Sequence, residues 1–219
     1  MLALASCQNP ATNTAAPKER PTPVVLNFDE DAPGALPEGW RPAIINGAAA
    51  DIEWRIATDS FAPSRPNVLA LARAGNDRRA SNLCIWHRDV LEDVELRVSC
   101  SGDYGAGIAF RLDDQLNGYV ARVNPAEGNL RLFKLVDGER ISLSGQPLRY
   151  ADEDGWYRLI VSVRDDVIHV VLEGYDGRLA RRNELEHRDE SFVRPGRVAL
   201  WTRADSLGRF DDVEIRPLE

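Results

Sequence analysis

Three arginines recur along one segment of the chain at a spacing that could bring their side chains together. Arg111, Arg122 and Arg131 lie within residues 107–135, where short alternating stretches are separated by turn-forming residues. If these stretches are adjacent antiparallel strands, the pairing register places the three guanidinium groups in a row on one face of a sheet. Guanidinium groups donate paired hydrogen bonds to carboxylates and to sugar oxygens. The spacing therefore indicates a surface that could bind an anionic or polyhydroxylated ligand.

A row of like charges on a sheet is unfavourable by itself, so something must compensate for it. Acidic neighbours such as Glu95, or water and salt around a solvated outer face, could do so without any ligand. The alternative is a bound ligand, for which asparagines on the same face, a loop tyrosine and tryptophans that could stack on a sugar ring would be suitable neighbours. The candidate ligand-binding residues are Arg111, Arg122, Arg131, Asn124, Asn129, Phe133, Tyr104 and Trp86.

The elements that would position these residues are short strands with period-two alternation. No segment predicts a helix. The predicted strands are 24–28, 53–57, 68–72, 82–87, 94–101, 106–112, 118–124, 129–135, 139–144, 156–164, 167–173, 197–203 and 209–215. Many short strands at regular spacing indicate an all-β fold, an antiparallel β-sandwich or barrel. Composition does not change between residues 24 and 219, which predicts a single domain.

Turn positions fix the expected registers. The Asp165-Asp166 turn should place Val163 opposite Ile168, and the turn at 125–128 should place Arg122 opposite Arg131. Continued through the neighbouring turns, the same register places Arg111 close to Arg122, Phe133 opposite Ser142 and Arg131 opposite Ser144. The predicted core face of these strands comprises Phe110, Leu112, Ala121, Val123, Leu130, Leu132, Ile141 and Leu143.

The charge balance restricts the classes of partner. The 219 residues include 27 basic and 35 acidic side chains, a net charge of −8, which argues against nucleic acid as a partner. No apolar stretch is long enough to span a bilayer. We therefore expect any membrane association to depend on a lipid anchor.

The first residues suggest such an anchor. "MLALASC" resembles a bacterial lipobox with Cys7 as the lipidated residue, and the segment from 8 to 23 has the composition of a disordered tether. Residues 1–23 are thus interpreted as a lipobox-like start and tether, and 24–219 as the folded domain. This predicts an exported protein anchored at the outer membrane or in the periplasm. The alternative is a soluble protein with a chance match.

Four segments carry a resemblance to a known fold family. They are "GIAFRLDDQLNGYVARV", "NLRLFKLVDGERISL", "DGWYRLIVSVRDDVIHVVLEG" and "GRVALWTRADSLGRFDDVEI". In their order and spacing they resemble the concanavalin A-like jelly rolls of secreted bacterial lipoproteins, among them laminin-G-like and 3-keto-disaccharide hydrolase-like domains. The resemblance implies a concave sheet that carries a carbohydrate, neutral or anionic, near strands 106–112, 118–124 and 129–135. We expect a monomeric, non-catalytic carbohydrate-binding module.

Two alternatives to a binding module remain open. One is a glycoside-processing enzyme of the 3-keto-disaccharide hydrolase type, which the sequence does not favour because "YGAGIAF" replaces the Asn-Ser-Gly usual in that group. The carboxylates in "LEDVELRV" also lack the alternating spacing of a glycosidase pair. The other alternative is a structural domain that binds proteins.

The resemblance also implies a structural calcium ion, the one cofactor that we expect. Asp29 and Glu30, with Asp211 and Asp212, resemble the ligands that hold calcium between the first and last strands of related jelly rolls. The alternative role for Asp211 is to cap backbone amides. Cys84 and Cys100 are either a disulfide or, as we favour, two buried thiols.

Overall fold

The computed structural model describes residues 22–75, 77–149, 155–175 and 182–218, which form fifteen β-strands and one 3-10 turn at Ala49–Asp51. The strands are β1 Val24–Leu26, β2 Trp40–Ile45, β3 Glu53–Thr58, β4 Asn67–Arg73, β5 Ser81–Leu91, β6 Val94–Ser101, β7 Ala106–Leu112, β8 Gly118–Asn124, β9 Asn129–Val136, β10 Glu139–Pro147, β11 Tyr157–Arg164, β12 Val167–Gly174, β13 Asn183–Arg188, β14 Gly196–Arg203 and β15 Arg209–Pro217. The all-β prediction is confirmed.

Two antiparallel sheets form a sandwich. One has the order β13-β12-β11-β6-β15-β4-β3, with β1 added beside β15, and the other has the order β10-β9-β8-β7-β14-β5-β2. The main core lies between them and takes side chains from both, such as Phe110 and Leu132 from one sheet and Val161 and Phe210 from the other. Alternation along each strand sends these side chains inward, as expected for a sandwich.

The registers predicted from turn chemistry are largely confirmed. Val163 pairs with Ile168 across a two-residue turn, and Asp165 takes the positive φ of 50° that such a turn requires. Asp tolerates this conformation better than most residues because its short side chain bonds locally. The resulting β11–β12 hairpin places its fully buried valine and leucine side chains in the main core.

Two strands were not predicted, and both lie at sheet edges. β2 contains Pro42, which an edge strand tolerates because one side of its backbone needs no partner. β13 contains one apolar residue that packs inward, Leu185, among charged residues, so its sequence has the appearance of a loop. Charged edge strands of this kind resist edge-to-edge pairing with other chains.

The seven-stranded sheet is strongly curved, and its outer face is the concave one. Arg140 on edge strand β10 stacks over the ring of Trp201 on β14, with 5.7 Å between the guanidinium carbon and the ring centroid. In a flat sheet strands four positions apart would be separated by about 19 Å, beyond the reach of one arginine. The amide of Asn46, just after β2, also donates to the carbonyl of Gly138 in the β9–β10 turn at 2.7 Å. The two edges of the sheet thus meet over its outer face.

This curvature buries a second apolar cluster on the concave face. Its members come from six of the seven strands: Ile45, Leu83, Ile85, Ala109, Leu112, Val120, Leu135, Ala199 and Trp201. The predicted lipobox at Cys7, with the tether as far as residue 21, lies outside the described residues. Within the described ranges, no helix has both the length and the apolar character needed to cross a bilayer.

Candidate ligand-binding site on the concave sheet

The pairing of Arg122 with Arg131 is confirmed, and both side chains belong to the concave face. Arg122 is only 3% exposed, and its Nη2 donates to Glu127 at 2.8 Å and to Asn129 at 2.5 Å. Arg122 also lies over the ring of Phe133, 5.5 Å from its centroid. Arg131 is exposed and makes no ion pair with any described residue.

The predicted row of three arginines is wrong at Arg111. Gly107, not Arg111, pairs with Arg122, and Arg111 lies four residues further along β7. There the positive φ of 49° at Arg111 and a register shift against β14 mark a bulge. The Arg111 side chain is 2% exposed and is turned towards the far end of the sandwich. There it donates to the Asp93 carboxylate at 2.9 Å and to the carbonyls of Glu92, Asp165 and Phe192. Its hydrogen-bonding capacity is used internally, so it lies outside the candidate site.

The Arg111 bulge on β7 and a second bulge on β10 make several predicted positions of neighbouring residues wrong. Leu112 follows the Arg111 bulge and therefore packs on the concave face, not in the main core. A register shift between Ser142 and Ser144 places Gly145, not Ser144, opposite Arg131, whereas Phe133 opposite Ser142 is confirmed. The predicted core residue Ile141 precedes this shift and is 46% exposed, because β10 is an edge strand. Each bulge adds one residue and so reverses the face of the side chains that follow it.

Trp86 is likewise not a surface residue. It is buried in the main core, where its ring meets Trp40 edge-on at 5.4 Å between centroids, and its Nε1 donates to Asp89 at 2.8 Å. The prediction that it faces a ligand is therefore wrong in geometry. Its position on β5 alternates with Ile85, which is the residue that faces the concave side.

The remaining predicted residues gather around Arg122. Asn124 is fully buried, and it holds the turn at Glu127 and the loop at Tyr104 through its own amide group. Asn129 accepts from Arg122 and donates to Glu127 at 3.2 Å. Tyr104 is 53% exposed at the rim, so its ring is open to solvent. Asn124 and Asn129 therefore position the site, while Tyr104 and the half-buried Phe133 present apolar surface.

Four more residues lie around Arg122 and were not among the predicted site residues: Arg140, Arg203, Glu127 and Trp201. Arg203 Nη1 donates to Glu127 at 3.1 Å, on the other carboxylate oxygen from the one that Arg122 engages. The Trp201-x-Arg203 spacing on one strand places both side chains on one face, and this spacing is the sequence signal for the pair. Nothing in the sequence links Arg140 to Trp201, because their contact depends on sheet curvature. We call Arg122, Arg131, Arg140, Arg203 and Glu127 the arginine cluster.

The electrostatics of the arginine cluster are those of a site with surplus positive charge. Burial lowers the pKa of Arg122, and the neighbouring charges of Arg203 and Arg131 lower it further, whereas Glu127 raises it. Burial, Arg203 and Arg122 likewise lower the pKa of Arg140. Burial acts to raise the pKa of Glu127, but hydrogen bonds from Arg122 and Asn129 outweigh it and leave that pKa below its ordinary value. Glu127 is therefore ionised at neutral pH.

Two buried donors on this face have no acceptor in the part of the chain that the structure describes. They are Arg122 Nε and Trp201 Nε1, and both are shielded from solvent. A buried polar group without a partner costs about 1–3 kcal/mol. The concave face thus has more donors than acceptors around Arg122 and Trp201.

A separate cavity of about 400 Å³ opens at the other end of the concave face. It is lined by Arg41, Ile85, His87, Leu112, Asp113, Asp114, Leu116 and Arg197. Arg197 Nη1 donates to Asp114 at 2.6 Å, so its charges are largely matched internally. Since Arg197 and Arg203 lie near opposite ends of β14, this cavity is about 20 Å from the arginine cluster.

The predicted calcium ligands lie near one loop, but their oxygens are occupied by protein donors. Asp211 is fully buried and accepts from the Ser64 amide at 2.8 Å, the Ser64 hydroxyl at 3.0 Å and the Asp212 amide at 2.8 Å. Asp29 accepts from the Asn67 amide at 3.3 Å. Among the described residues, no three His, Cys, Asp or Glu side chains form a group that could hold a metal. This arrangement favours the amide-capping role of Asp211.

Sequence comparisons and structural comparisons give different results. The sequence matches no protein-family model. No curated protein matches it either. Solved structures do match: the carbohydrate-binding module CBM66 from Bacillus subtilis is similar at 19% identity and a TM-score of 0.57, over 80% of this chain and 93% of that module.

Two further solved structures have the same architecture. The exoplasmic/lumenal domain of VIP36 in its Ca2+/Man-bound form is 9% identical with a TM-score of 0.58, over 90% of this chain and 89% of that domain. A prokaryotic β-1,3-1,4-glucanase (lichenase) derived from a mouse hindgut metagenome is 12% identical with a TM-score of 0.55, over 90% of this chain and all of that chain. At such identities the likeness concerns the fold, and the chain has the concanavalin A-like jelly-roll fold that its four sequence segments predicted.

Proposed function

We propose that this protein is a non-catalytic carbohydrate-binding protein whose ligand lies over the arginine cluster on the concave sheet. The observation that carries the proposal is the surplus of guanidinium groups around Arg122, of which Arg131 and Arg140 make no ion pair with the described residues. Sugars present many acceptor oxygens at close spacing, which suits such a surface. The similar structures named as a carbohydrate-binding module and as a Man-bound domain support this choice of ligand class.

Apolar surface beside the donors supports the same ligand class. Phe133 on β9 lies against the Arg122 guanidinium group. Tyr104 is exposed in the loop before β7, next to Gly105, where an added Cβ would lie 3.0 Å from Arg122 Cδ. Aromatic rings pack on the apolar face of a pyranose while neighbouring polar groups take its hydroxyls. Because strands β7, β8 and β9 are central or near-central in the sheet, the residues that they carry are held rigidly.

The chemistry of the site favours binding over hydrolysis. A glycosidase needs a carboxylic acid whose pKa is raised so that it can protonate the leaving group. Glu127 has the opposite character, since two arginines and Asn129 hold it ionised. We therefore expect no turnover of glycosides or of 3-keto-glucosides.

The experiment that tests the proposal is isothermal titration calorimetry of the full chain with a panel of neutral and acidic oligosaccharides. Tyr104→Ala and Phe133→Ala should each weaken binding about 2- to 12-fold, since each removes one stacking partner worth about 0.5–1.5 kcal/mol. Tyr175→Ala is the matched control, because Tyr175 is 44% exposed just after β12 of the other sheet. If no member of the panel binds, the protein is instead a structural or protein-binding domain.

A lipid anchor at Cys7 is a separate part of the proposal and rests on the sequence alone. Lipidation would hold the domain at the outer membrane or in the periplasm through the predicted tether. Cells that express the full chain should incorporate labelled palmitate into it, and Cys7→Ser should abolish the label. Equal distribution of both proteins in the soluble fraction would contradict the anchor.

Structural calcium near Asp29 and Asp211 also stays a prediction. It requires that EDTA lowers the melting temperature and that Asp211→Asn removes the difference between the calcium-loaded and EDTA-treated samples. An identical melting temperature with and without EDTA would leave Asp211 as an amide cap alone.

A further inference from the structure

We infer that the ligand of the concave face carries an anionic group, a carboxylate or a sulfate on a sugar, and that Arg131 and Arg140 bind that group. This inference rests on the proposed function and narrows its ligand class. Both arginines belong to the edge half of the sheet: Arg131 lies on β9, and Arg140 lies on β10 opposite Leu135. Phe133 lies between these two positions along β9.

The local charge supports an anionic ligand. Four guanidinium groups share this part of the concave face with two carboxylates that act on them, Glu127 and Glu139. The local excess of two positive charges stands against a chain whose net charge is −8. Such an excess on a partly buried surface attracts anions and raises their local concentration.

The four arginines differ in how far a neighbouring carboxylate neutralises their charge. Arg122 and Arg203 both bond to Glu127, so their charges are partly matched within the protein. Arg131 and Arg140 make no ion pair with the described residues, and Arg140 instead lies over the Trp201 ring. The unmatched charge is therefore on Arg131 and Arg140.

Glu127 shows that this environment stabilises a carboxylate. It receives hydrogen bonds from Arg122 and Arg203 at 2.8 and 3.1 Å, and its pKa is lowered despite its partial burial. An anionic group of the ligand would likewise accept charge-assisted hydrogen bonds, in this case from Arg131 and Arg140. Planar guanidinium forks suit both carboxylate and sulfate oxygens, so the geometry admits either group.

The inference is tested with three probes: an oligouronate, a sulfated oligosaccharide with its unsulfated counterpart, and inorganic sulfate. The acidic oligosaccharides should bind more tightly than the neutral one, and their affinity should fall as salt is added. Arg131→Gln and Arg140→Gln should each lower that affinity about 10- to 100-fold, as expected for loss of a charge-assisted bond. Glu127→Gln should raise it, because it removes a competing carboxylate.

Arg55→Gln is the matched control for these variants. Arg55 is a similarly exposed strand arginine, but it lies on β3 of the other sheet and already pairs with Glu53 at 3.4 Å. It should not change the affinity. Since Arg131 is exposed and unpaired, Arg131→Gln keeps the test valid even if Arg140→Gln fails to fold.

The outcomes separate this inference from the proposed function. Neutral oligosaccharide bound as tightly as the acidic ones, with no effect of Arg131→Gln or Arg140→Gln, would overturn the inference and leave carbohydrate binding intact. Inorganic sulfate bound as tightly as the sulfated oligosaccharide would also overturn it, because the sugar would then contribute nothing. Failure of every sugar to bind would reject the proposed function itself.

Discussion

Replacing Arg111 should destabilise the fold without affecting ligand binding, which reverses its predicted role. Its guanidinium group joins the β5–β6 connection at Glu92 and Asp93 to the β11–β12 turn at Asp165 and to the loop at Phe192. Arg111→Met would leave a carboxylate and three carbonyls without this donor. Breaking a buried ion pair in this way costs about 3–5 kcal/mol.

A cost of that size is readily measured. For a domain of this length, 1 kcal/mol shifts the melting temperature by about 2–4 °C, so Arg111→Met should lower it by roughly 10 °C. Urea unfolding gives the free energy of unfolding directly. Arg111→Lys keeps the charge but not the fork, so it should lose about half as much stability. Arg131→Gln is the matched control, and as a surface change it should stay within about 0.5 kcal/mol of the parent.

Two results would refute this reasoning. A loss below about 1 kcal/mol for Arg111→Met would mean that water replaces the guanidinium group at no great cost. Weaker sugar binding by a variant of unchanged stability would mean that Arg111 contacts the ligand after all. Sugar affinity of the folded variant therefore has to be measured alongside stability.

Two further predictions concern the cysteines and one ionised carboxylate. Burial raises the pKa of Cys84 well above its ordinary value and that of Cys100 to about 12, so neither free thiol should react with a thiol reagent at about pH 8 until urea unfolds the protein. Burial acts to raise the pKa of Asp189, but hydrogen bonds from Ser191 and Lys134 outweigh it and hold that pKa well below its ordinary value. The resulting stability is therefore present above about pH 4 and is lost as the pH falls further, and Lys134→Met should reduce this acid dependence in urea unfolding.

Each of these predictions has a contradicting result. Rapid labelling of either cysteine in the native protein would show that its strand opens readily, since both thiols lie in the main core. An equal loss of stability on acidification for Lys134→Met and the parent protein would show that the Lys134 bond to Asp189, 2.9 Å long, contributes little.

The parts of the fold that follow from local turn chemistry were predictable. Asp165-Asp166 sets the β11–β12 register, and the turn at 125–128 sets Arg122 opposite Arg131. Such registers depend on a few adjacent residues and on which face is apolar, and both are visible in the sequence. The repeated strands and turns predicted an antiparallel sandwich or barrel, and the resemblance of four segments to a known fold family identified the jelly roll.

The parts that depend on a single inserted residue or on distant contacts were not predictable. "FRL" at 110–112 alternates as a regular strand would, yet the bulge at Arg111 sends Phe110 and Leu112 to opposite faces. Gly196 permits this bulge, since a Cβ there would lie 2.4 Å from the Arg111 carbonyl carbon. That contact joins residues far apart in the chain, so no local pattern could reveal it. The place of Arg140 over Trp201 depends in the same way on the curvature of the whole sheet.

The three arginines that first suggested a binding surface differ in how many acceptors the protein supplies to them. Arg111 has four protein acceptors, Arg122 has two and an unpartnered Nε, and Arg131 has no hydrogen bond or ion pair with the described residues. A guanidinium group whose donors are satisfied internally stabilises the fold, and only one with spare donors can bind a ligand. The number of unused guanidinium donors therefore increases from β7 towards the β10 edge. Arg140, on β10, also makes no ion pair with the described residues. A ligand should accordingly approach over β9 and β10, and substitutions on those strands should affect binding more than stability.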